Sequence, residues 1–446
     1  MHELYVKDIK KISDATIFGN EDIVLDNFSI DTRTIKNGDI YVGIKGDNNN
    51  GSDYYLNAIK KGAKVVIIDK VVDAINDVTI VIVKDTLECL QKLAEIKRSL
   101  YDIPVIAITG SSGKTSTKDI VSSVVSKKYK TCKTKGNYNN HIGVPLTILS
   151  LKDDEALVIE MGMNHLGEIS RLSKIAKPTI SIITNVGTAH IGNLGSRENI
   201  LKAKLEIIDG MIGNTLIINE DNDMLKKVNN ILDSKYNIKT ISINNQSDYK
   251  AYDIKSEIFK SVFKVLDDEI TINVGGEVFI YNALVAYAVG KLLDINIDDI
   301  RLGISSFVLS KGRLERKITK NNVVLIDDTY NANYDSMKSS IELLGKVNSR
   351  KIAVLGDMLE LGEFTEKLHK DIGKVLLDNK IDLVITIGEY SKYINEVIGN
   401  SIENHHFSKE SDSYKLLDEI LRKDDYVLIK GSHSIKLNNL VDYLMK

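Results

Sequence analysis

The sequence predicts an α/β protein of three domains. Short runs rich in β-branched residues alternate with amphipathic segments from Val105 onward, and such alternation implies parallel sheets covered by helices. The runs fall into two separate series, with a smaller α/β unit ahead of them. The length, 446 residues, suits about three domains at roughly 150 residues each.

Composition narrows the function classes. Charged residues at 27% and hydrophobic residues at 43% exclude a mainly disordered chain. A net charge of −3 argues against nucleic acid as the main partner, since such binders carry a basic domain. The two cysteines, Cys89 and Cys132, offer no disulfide framework and point to a reducing compartment. The opening segment MHELYVKDIKKIS lacks the apolar centre of a secretion signal. No stretch approaches the roughly 18 apolar residues of a membrane span. A cytoplasmic monomer is the expectation.

Taken in order, residues 1–83 read as the small α/β unit. VVII (Val65 to Ile68) and VTIVIV (Val78 to Val83) are its buried strands, and GDNNNGSD (Gly46 to Asp53) is a turn-rich connection. A helix starts near Asp85. Asp85 can cap it, Glu88 sits three residues on, and Leu87, Leu90, Leu93, Ala94 and Leu100 recur at helical spacing. The first domain boundary falls just before that helix.

A central domain, 84–311, carries VIAIT, ALVIEM, TISIIT and TLIIN as strands. A third domain, 312–446, carries VVLID, IAVL, LVITI and YVLIK, a second doubly wound unit.

ITGSSGKTS (Ile108 to Ser116) follows the strand VIAIT and opens an amphipathic helix bearing Ile120, Val121, Val124 and Val125. Strand, glycine-rich turn and helix together form a phosphate loop. Gly110 and Gly113 let the backbone approach closely, so that the amides of Ser111, Ser112 and Ser116 and the helix N-terminus can face phosphate oxygens. Lys114 would contact the terminal phosphates and the Thr115 hydroxyl would ligate Mg²⁺. The segment has Ile108 where the usual pattern has its first glycine. No NKxD base-reading motif follows, which favours ATP over GTP.

Open parallel sheets bind ligands beyond the carboxyl ends of their strands, and polar loops fall at those ends. GNYNNHIGVP offers Asn139, Asn140 and His141, as substrate ligands or as turn caps. Glu160 ends the strand ALVI, placed to hold a metal, orient a water, or make an ion pair. NVGTAHIGNLG follows a third strand and carries Asn185 and His190, the histidine being either structural or a Mg²⁺ or Mn²⁺ ligand. In KAKLEI, Lys202 and Lys204 read on residue type alone as solvated helix lysines. DDTYNANYDSM, LGDMLELGE and KGSHSIKL leave strands of the third domain, and Arg313 in KGRLER can reach a phosphate across a cleft or stay an exposed charge.

Together these segments resemble the Mur ligases, ATP-dependent amide-forming enzymes of peptidoglycan precursor synthesis, across essentially the whole chain. TGSSGKTS, GNYNNHIGVP, EMGMNHLGEI, NVGTAHI, DDTYNANYDSM and LGDMLELGE match in order and spacing the branch that adds D-alanyl-D-alanine to UDP-N-acetylmuramoyl-tripeptide. The tripeptide-forming branch has a DYAHTP-type segment in place of DDTYNAN, and a DNPR-type segment further on; neither occurs here.

The resemblance implies a UDP-sugar-binding N-terminal domain, a central ATPase domain and a C-terminal Rossmann-like domain. It implies ATP and two Mg²⁺, with Mn²⁺ as a substitute. On it, Lys114 and Thr115 take the phosphate and Mg²⁺ positions, and Glu160 and His190 are metal ligands. Lys204 matches a lysine that the family carbamylates, turning a cation into a carboxylate-like ligand. Asn282 lies near adenine, while Arg313, Asp328 and Asn331 contact the nucleotide from the C-terminal side. Thr32, Arg33 and Gly46 match the uridine-nucleotide end. The chain departs from the family pattern at Val278-Phe279 (usually His-Asn), at Tyr334 (usually proline) and at His433 (usually arginine).

The chemistry so implied is phosphorylation of the tripeptide carboxylate to an acyl phosphate, then attack by the dipeptide amine. Such phosphoryl transfer needs positioning and charge neutralisation, to which Lys114 and Arg313 would contribute. Two other readings are weighed against this one. A folylpolyglutamate synthetase-like ligase generally begins directly at its ATPase domain, unlike this chain. A nucleotide-binding switch protein would not make ATP turnover depend on two further substrates.

Overall fold

The structure is a computed structural model and describes residues 3–446. Three sheets carry it, in the order the apolar runs predict. The first unit has β1 (Thr16–Phe18), β2 (Phe28–Ser29), β3 (Ile40–Val42), β4 (Val65–Ile68) and β5 (Thr79–Ile82), arranged β1-β5-β4-β3-β2. Only β1 runs antiparallel to its neighbour among these strands. Every residue of β3 and β4 is buried, as the unbroken apolar run VVII requires.

The central sheet has β6 (Val105–Thr109), β7 (Thr131–Lys133), β8 (Ala156–Glu160), β9 (Ile180–Ile183), β10 (Thr215–Asn219), β11 (Asn237–Ser242), β12 (Tyr249–Ser256), β13 (Ser261–Val265) and β14 (Asp268–Ile272). Its order is β14-β13-β12-β11-β10-β9-β6-β8-β7. From β7 to β12 the strands are parallel; β13 and β14 extend the sheet as antiparallel hairpins. The sequence reading missed that extension. In β13 buried residues alternate with half-buried ones, the mark of a sheet covered on one face rather than two.

The third sheet has β15 (Glu315–Ile318), β16 (Val324–Asp328), β17 (Lys351–Gly356), β18 (Leu383–Ile387), β19 (Glu403–Phe407) and β20 (Tyr426–Lys430), in the order β15-β16-β20-β17-β18-β19. The four inner strands are the four that the sequence predicts. Among the described residues no helix is long and apolar enough to cross a membrane. The Cys89 thiol is buried, and burial pushes its pKa up to about 12, so it is an inert core group.

The helix Thr86–Ser99 starts where the sequence places it: the Asp85 carboxylate accepts the Glu88 N–H at 2.9 Å. It packs against the helices Gly143–Leu149 and Glu168–Ala176 of the central unit. Buried Arg98 locks it there, donating to the carbonyls of Ala176 (2.8 Å), Tyr101 (2.6 Å) and Lys177 (3.2 Å). Replacing Asp85 with alanine leaves that N–H without its cap. The expected cost is about 1 kcal/mol, read as a lower urea midpoint with catalysis unchanged.

Two features place the central and C-terminal units against each other. The segment joining them lies along the phosphate-loop helix Lys114–Val125, where the Ser310 hydroxyl donates to Asp119 at 2.6 Å. On the far side, Phe259 from the turn between β12 and β13 stacks on Tyr426, with ring centroids 6.4 Å apart, and lies under the Arg316 guanidinium. The carboxyl ends of β6, β8 and β9 thereby face those of β16, β17 and β20 across a cleft of about 820 Å³.

Candidate active site

β6 lies between β8 and β9, and connections leave it in both directions, so the cleft opens at the switch point of the central sheet. The phosphate loop follows β6. A Cβ on Gly110 would sit 1.8 Å from the Thr184 hydroxyl, so glycine is required there by close approach. Gly113 has φ +76°, a left-handed conformation that only glycine adopts freely, immediately before the helix Lys114–Val125.

The loop after β9 holds this turn in shape. The Asn185 side chain accepts the Ser112 N–H at 2.9 Å, its carbonyl accepts the Ser111 N–H at 3.1 Å, and the Thr184 hydroxyl donates to the Ser112 carbonyl at 2.7 Å.

Lys114 is half-buried at the cleft and donates to the Gly110 carbonyl at 2.8 Å. Burial lowers its pKa, opposed by the nearby Glu160 carboxylate. Thr115 accepts from the Arg313 guanidinium at 2.9 Å, and Arg313 in turn lies 4.0 Å over the Tyr330 ring. Of the two readings left open for Arg313, the geometry selects the one that crosses the cleft.

Glu160, at the end of β8, is buried; Asn139 donates to its Oε1 at 2.8 Å, and Oε2 has no partner. A buried carboxylate oxygen left without a donor costs free energy unless a cation or a ligand meets it. His190 begins the short helix Ile191–Leu194 with φ +62°, and its Nδ1 lies 2.8 Å from Glu360 Oε2. That contact holds the Glu360 carboxyl below its usual range, with Lys114 as a smaller cause.

Lys204 corrects the reading from residue type alone. Lys202 is exposed, but Lys204 on the same helix, Arg197–Leu205, is 1% exposed. Burial, and then the charge of Lys114, lowers its pKa well below that of a free lysine.

The neighbouring asparagines divide. Asn139 serves Glu160, whereas the Asn140 side chain accepts the N–H groups of Ile142 (3.1 Å) and Gly143 (2.9 Å), which is turn capping. His141 lines the cleft beside them.

From the C-terminal side, Asp328 and Asn331 line the cleft as the resemblance implies. The Asp328 carboxylate is already engaged, accepting from buried Lys430 at 2.6 Å and from Ser340 at 2.7 Å. Lys430 also donates to the Asn331 carbonyl at 3.1 Å. Asp328 is therefore a brace for this loop. Asn282 lies beneath the phosphate-loop helix; its Oδ1 accepts the Thr117 hydroxyl at 2.9 Å, and its Nδ2 is buried without a partner.

Val278 and Phe279, which depart from the family pattern, make an apolar wall of the cleft, and Phe279 packs on Phe307. Tyr334 opens the helix Tyr334–Gly345 and leaves its cap to Asn333.

Thr32, Arg33 and Gly46 do not line this cleft; they belong to the first unit. There Arg33 grips Asp31 through two nitrogens, at 3.0 and 2.7 Å, and the guanidinium holds the Asp31 carboxyl down to about 2.

Sequence reasoning missed several cleft residues. Tyr330, Asn333 and Glu360 stand in strand-exit loops that it singled out, without being chosen there. Asp335, which accepts from the Thr188 amide (2.7 Å) and hydroxyl (2.9 Å) across the interface, was also missed. Their signal was the position of the loop, not the residue type.

The arrangement can bind and polarise a polyphosphate. Lys114, Arg313 and the N-terminus of the phosphate-loop helix converge there, with the Glu160 oxygen opposite. Among the described residues no group of three His, Cys, Asp or Glu side chains gathers closely enough to hold a metal alone. A metal here would draw on Thr115, Glu160, His190 and ligand oxygens together. The unpartnered Glu160 Oε2 fits that demand.

Comparison with known proteins covers most of the chain. Family models match over residues 25–98 (Mur ligase family, catalytic domain), 108–290 (Mur ligase middle domain) and 312–433 (Mur ligase, glutamate ligase domain). UDP-N-acetylmuramoyl-tripeptide–D-alanyl-D-alanine ligase of Bacillus subtilis is 34% identical, over 99% of this chain and 98% of that protein. A crystal structure of MurF from Acinetobacter baumannii superposes with a TM-score of 0.91 at 28% identity, covering 99% of both chains. MurF ligase from Thermotoga maritima in complex with ADP gives a TM-score of 0.83 at 28% identity, over 94% of this chain and 97% of that one.

Proposed function

The chain belongs to the Mur ligase family, and from that premise we infer that it joins D-alanyl-D-alanine to UDP-N-acetylmuramoyl-tripeptide through an acyl phosphate, with ATP converted to ADP and phosphate. It is an ATP-dependent ligase of peptidoglycan synthesis. The observation that carries the reading is the buried Glu160 oxygen without a partner, in the same cleft as the lysine of a phosphate loop.

In this reading Lys114 and Arg313 draw charge from the phosphate being transferred, and the N–H groups of Gly113 to Ser116 cradle it, those of Ser111 and Ser112 being taken by Asn185. Thr115, Glu160, His190 and carbamylated Lys204 would hold Mg²⁺. When bound, that ion neutralises charge on the phosphates. The lowered pKa of Lys204 supports the modification, because only a neutral amine attacks CO₂; the new N–C bond forms as a proton leaves.

Asn282 and the Val278–Phe279 wall take the adenine. Asp328, braced by Lys430, holds Asn331 toward the nucleotide. Asn139, Asn140 and His141 face the sugar-peptide substrate, and Thr32, Arg33 and Gly46 hold its uridine end. Closure of the cleft keeps water from the acyl phosphate. We place the domain divisions at 83/84 and 311/312, and the protein in the cytoplasm as a monomer.

The test is phosphate release from ATP and Mg²⁺ with UDP-N-acetylmuramoyl-tripeptide, with and without D-alanyl-D-alanine. Release that needs both, with the UDP-muramyl-pentapeptide seen by mass spectrometry, is expected. Release indifferent to both would overturn the reading.

A further inference from the structure

The segment Asp357–Gly362, which leaves β17, is tied down residue by residue. The Asp357 carboxylate accepts the N–H groups of Glu389 (2.8 Å), Tyr390 (2.9 Å) and Ser391 (2.7 Å). The Met358 N–H donates to His369 Nε2 at 3.0 Å. A backbone N–H can only donate, so Nε2 is the acceptor and Nδ1 carries the proton, which it gives to the Thr365 carbonyl at 2.7 Å. His369 is wholly buried, a strut beneath the loop. The Leu359 N–H donates to the Ser432 hydroxyl at 3.0 Å.

All of this fixes the residue that follows. Glu360 has φ +64° and His190 has φ +62°, so two residues other than glycine hold the left-handed conformation on opposite sides of the domain interface. Backbone strain of this kind persists only where surrounding contacts impose it. Here the Gly192 N–H donates to the Glu360 carbonyl at 3.2 Å. A Cβ on Gly192 would stand 2.7 Å from the Gly362 nitrogen, so the two chains meet backbone to backbone. That approach brings Glu360 Oε2 to 2.8 Å from His190 Nδ1. The carboxylate lies off the N–H axis, so the two groups touch without forming an aligned hydrogen bond. With Nδ1 facing the Glu360 carboxylate, Nε2 is the nitrogen turned away from it and open to a cation, and a histidine ligand commonly gives its other ring nitrogen to a carboxylate.

We propose that Glu360 is a positioning residue, supplied by the C-terminal unit, which orients His190 toward a divalent cation held by the central unit. The inference rests on the cation role given to His190 above. It adds that cation binding at His190 and the contact between the two units favour each other, because the partner of His190 comes from the other unit.

Mn²⁺ is the probe, titrated into the full-length protein with ADP and followed by electron paramagnetic resonance. Glu360→Ala should weaken Mn²⁺ binding about 10- to 100-fold. Glu360→Gln, whose amide oxygen still accepts, should recover most of that loss. Adding Glu360→Ala to His190→Ala should cost nothing further. Circular dichroism checks the fold, and Glu360→Met, of similar length but without an acceptor, replaces the alanine variant if that one does not fold. If His190→Ala weakens binding while the Glu360 variants bind like wild type, this proposal fails and the cation role of His190 stands. If His190→Ala binds like wild type, that role fails and the proposal with it. Additive losses in the double variant would also overturn it, since Glu360 would then act independently of His190.

Discussion

Lys114→Ala is expected to lower kcat by about 10³-fold or more, the scale on which a cation at a transferring phosphoryl group acts. The fold should survive, for two reasons. Lys114 is desolvated, and its charged form is disfavoured by that burial. The turn is shaped instead by Asn185, Thr184 and the two glycines. Binding of the UDP-sugar should also persist, because Thr32, Arg33 and Gly46 lie outside the cleft. Single-turnover phosphate release, thermal melting and UDP-sugar titration of one variant check all three. Near-normal turnover would remove Lys114 from the mechanism.

Lys204→Met should lose activity by at least about 10²-fold, on the scale of lost metal ligation, yet be no less stable than wild type near neutral pH. The wild-type lysine is buried, and its folded pKa is lowered. In protein freed of CO₂, the unfolded chain holds that proton up to about pH 10.4 while the folded chain has already released it. The unfolded state then binds more protons, so wild-type stability rises with pH from the folded pKa toward about 10.4. Methionine contributes no such slope. The stability advantage of the variant should therefore be largest near neutrality and shrink as the pH approaches 10. Urea midpoints at pH 7 and pH 10 measure this. A constant gap would show that Lys204 is not held with a depressed pKa.

What was legible depended on whether the signal was contiguous. The phosphate loop is one run of residues between a strand and a helix, and its neighbours fix its geometry. Glu160 and His190 could be singled out because strand ends in an open sheet point at one crevice. Lys204 could not be separated from Lys202 by residue type, since only packing decides which lysine faces the interior. The bond between Asp328 and Lys430 joins strands 102 residues apart in the chain, and no local pattern announces it. Glu360 was hidden for the same reason: its partner belongs to another domain. The missed strands are short, like the fully buried three-residue β3, or polar, or covered on one face. β15 reads ERKI and β19 reads ENHHF, edge sequences whose alternation is too short to stand out.

The bond between Ser310 and Asp119 bears on how the cleft assembles. Arg313 follows Ser310 by only three residues, and three residues span at most about 10 Å. While that anchor holds, Arg313 stays within about 10 Å of it. Confinement so close corresponds to an effective concentration in the millimolar range or above. The arginine is thus tethered beside Thr115 and the phosphate loop, and its encounter with a bound phosphate is intramolecular. Asn331 and Glu360 have no such short tether, and their place at the cleft depends on how the two sheets pack together.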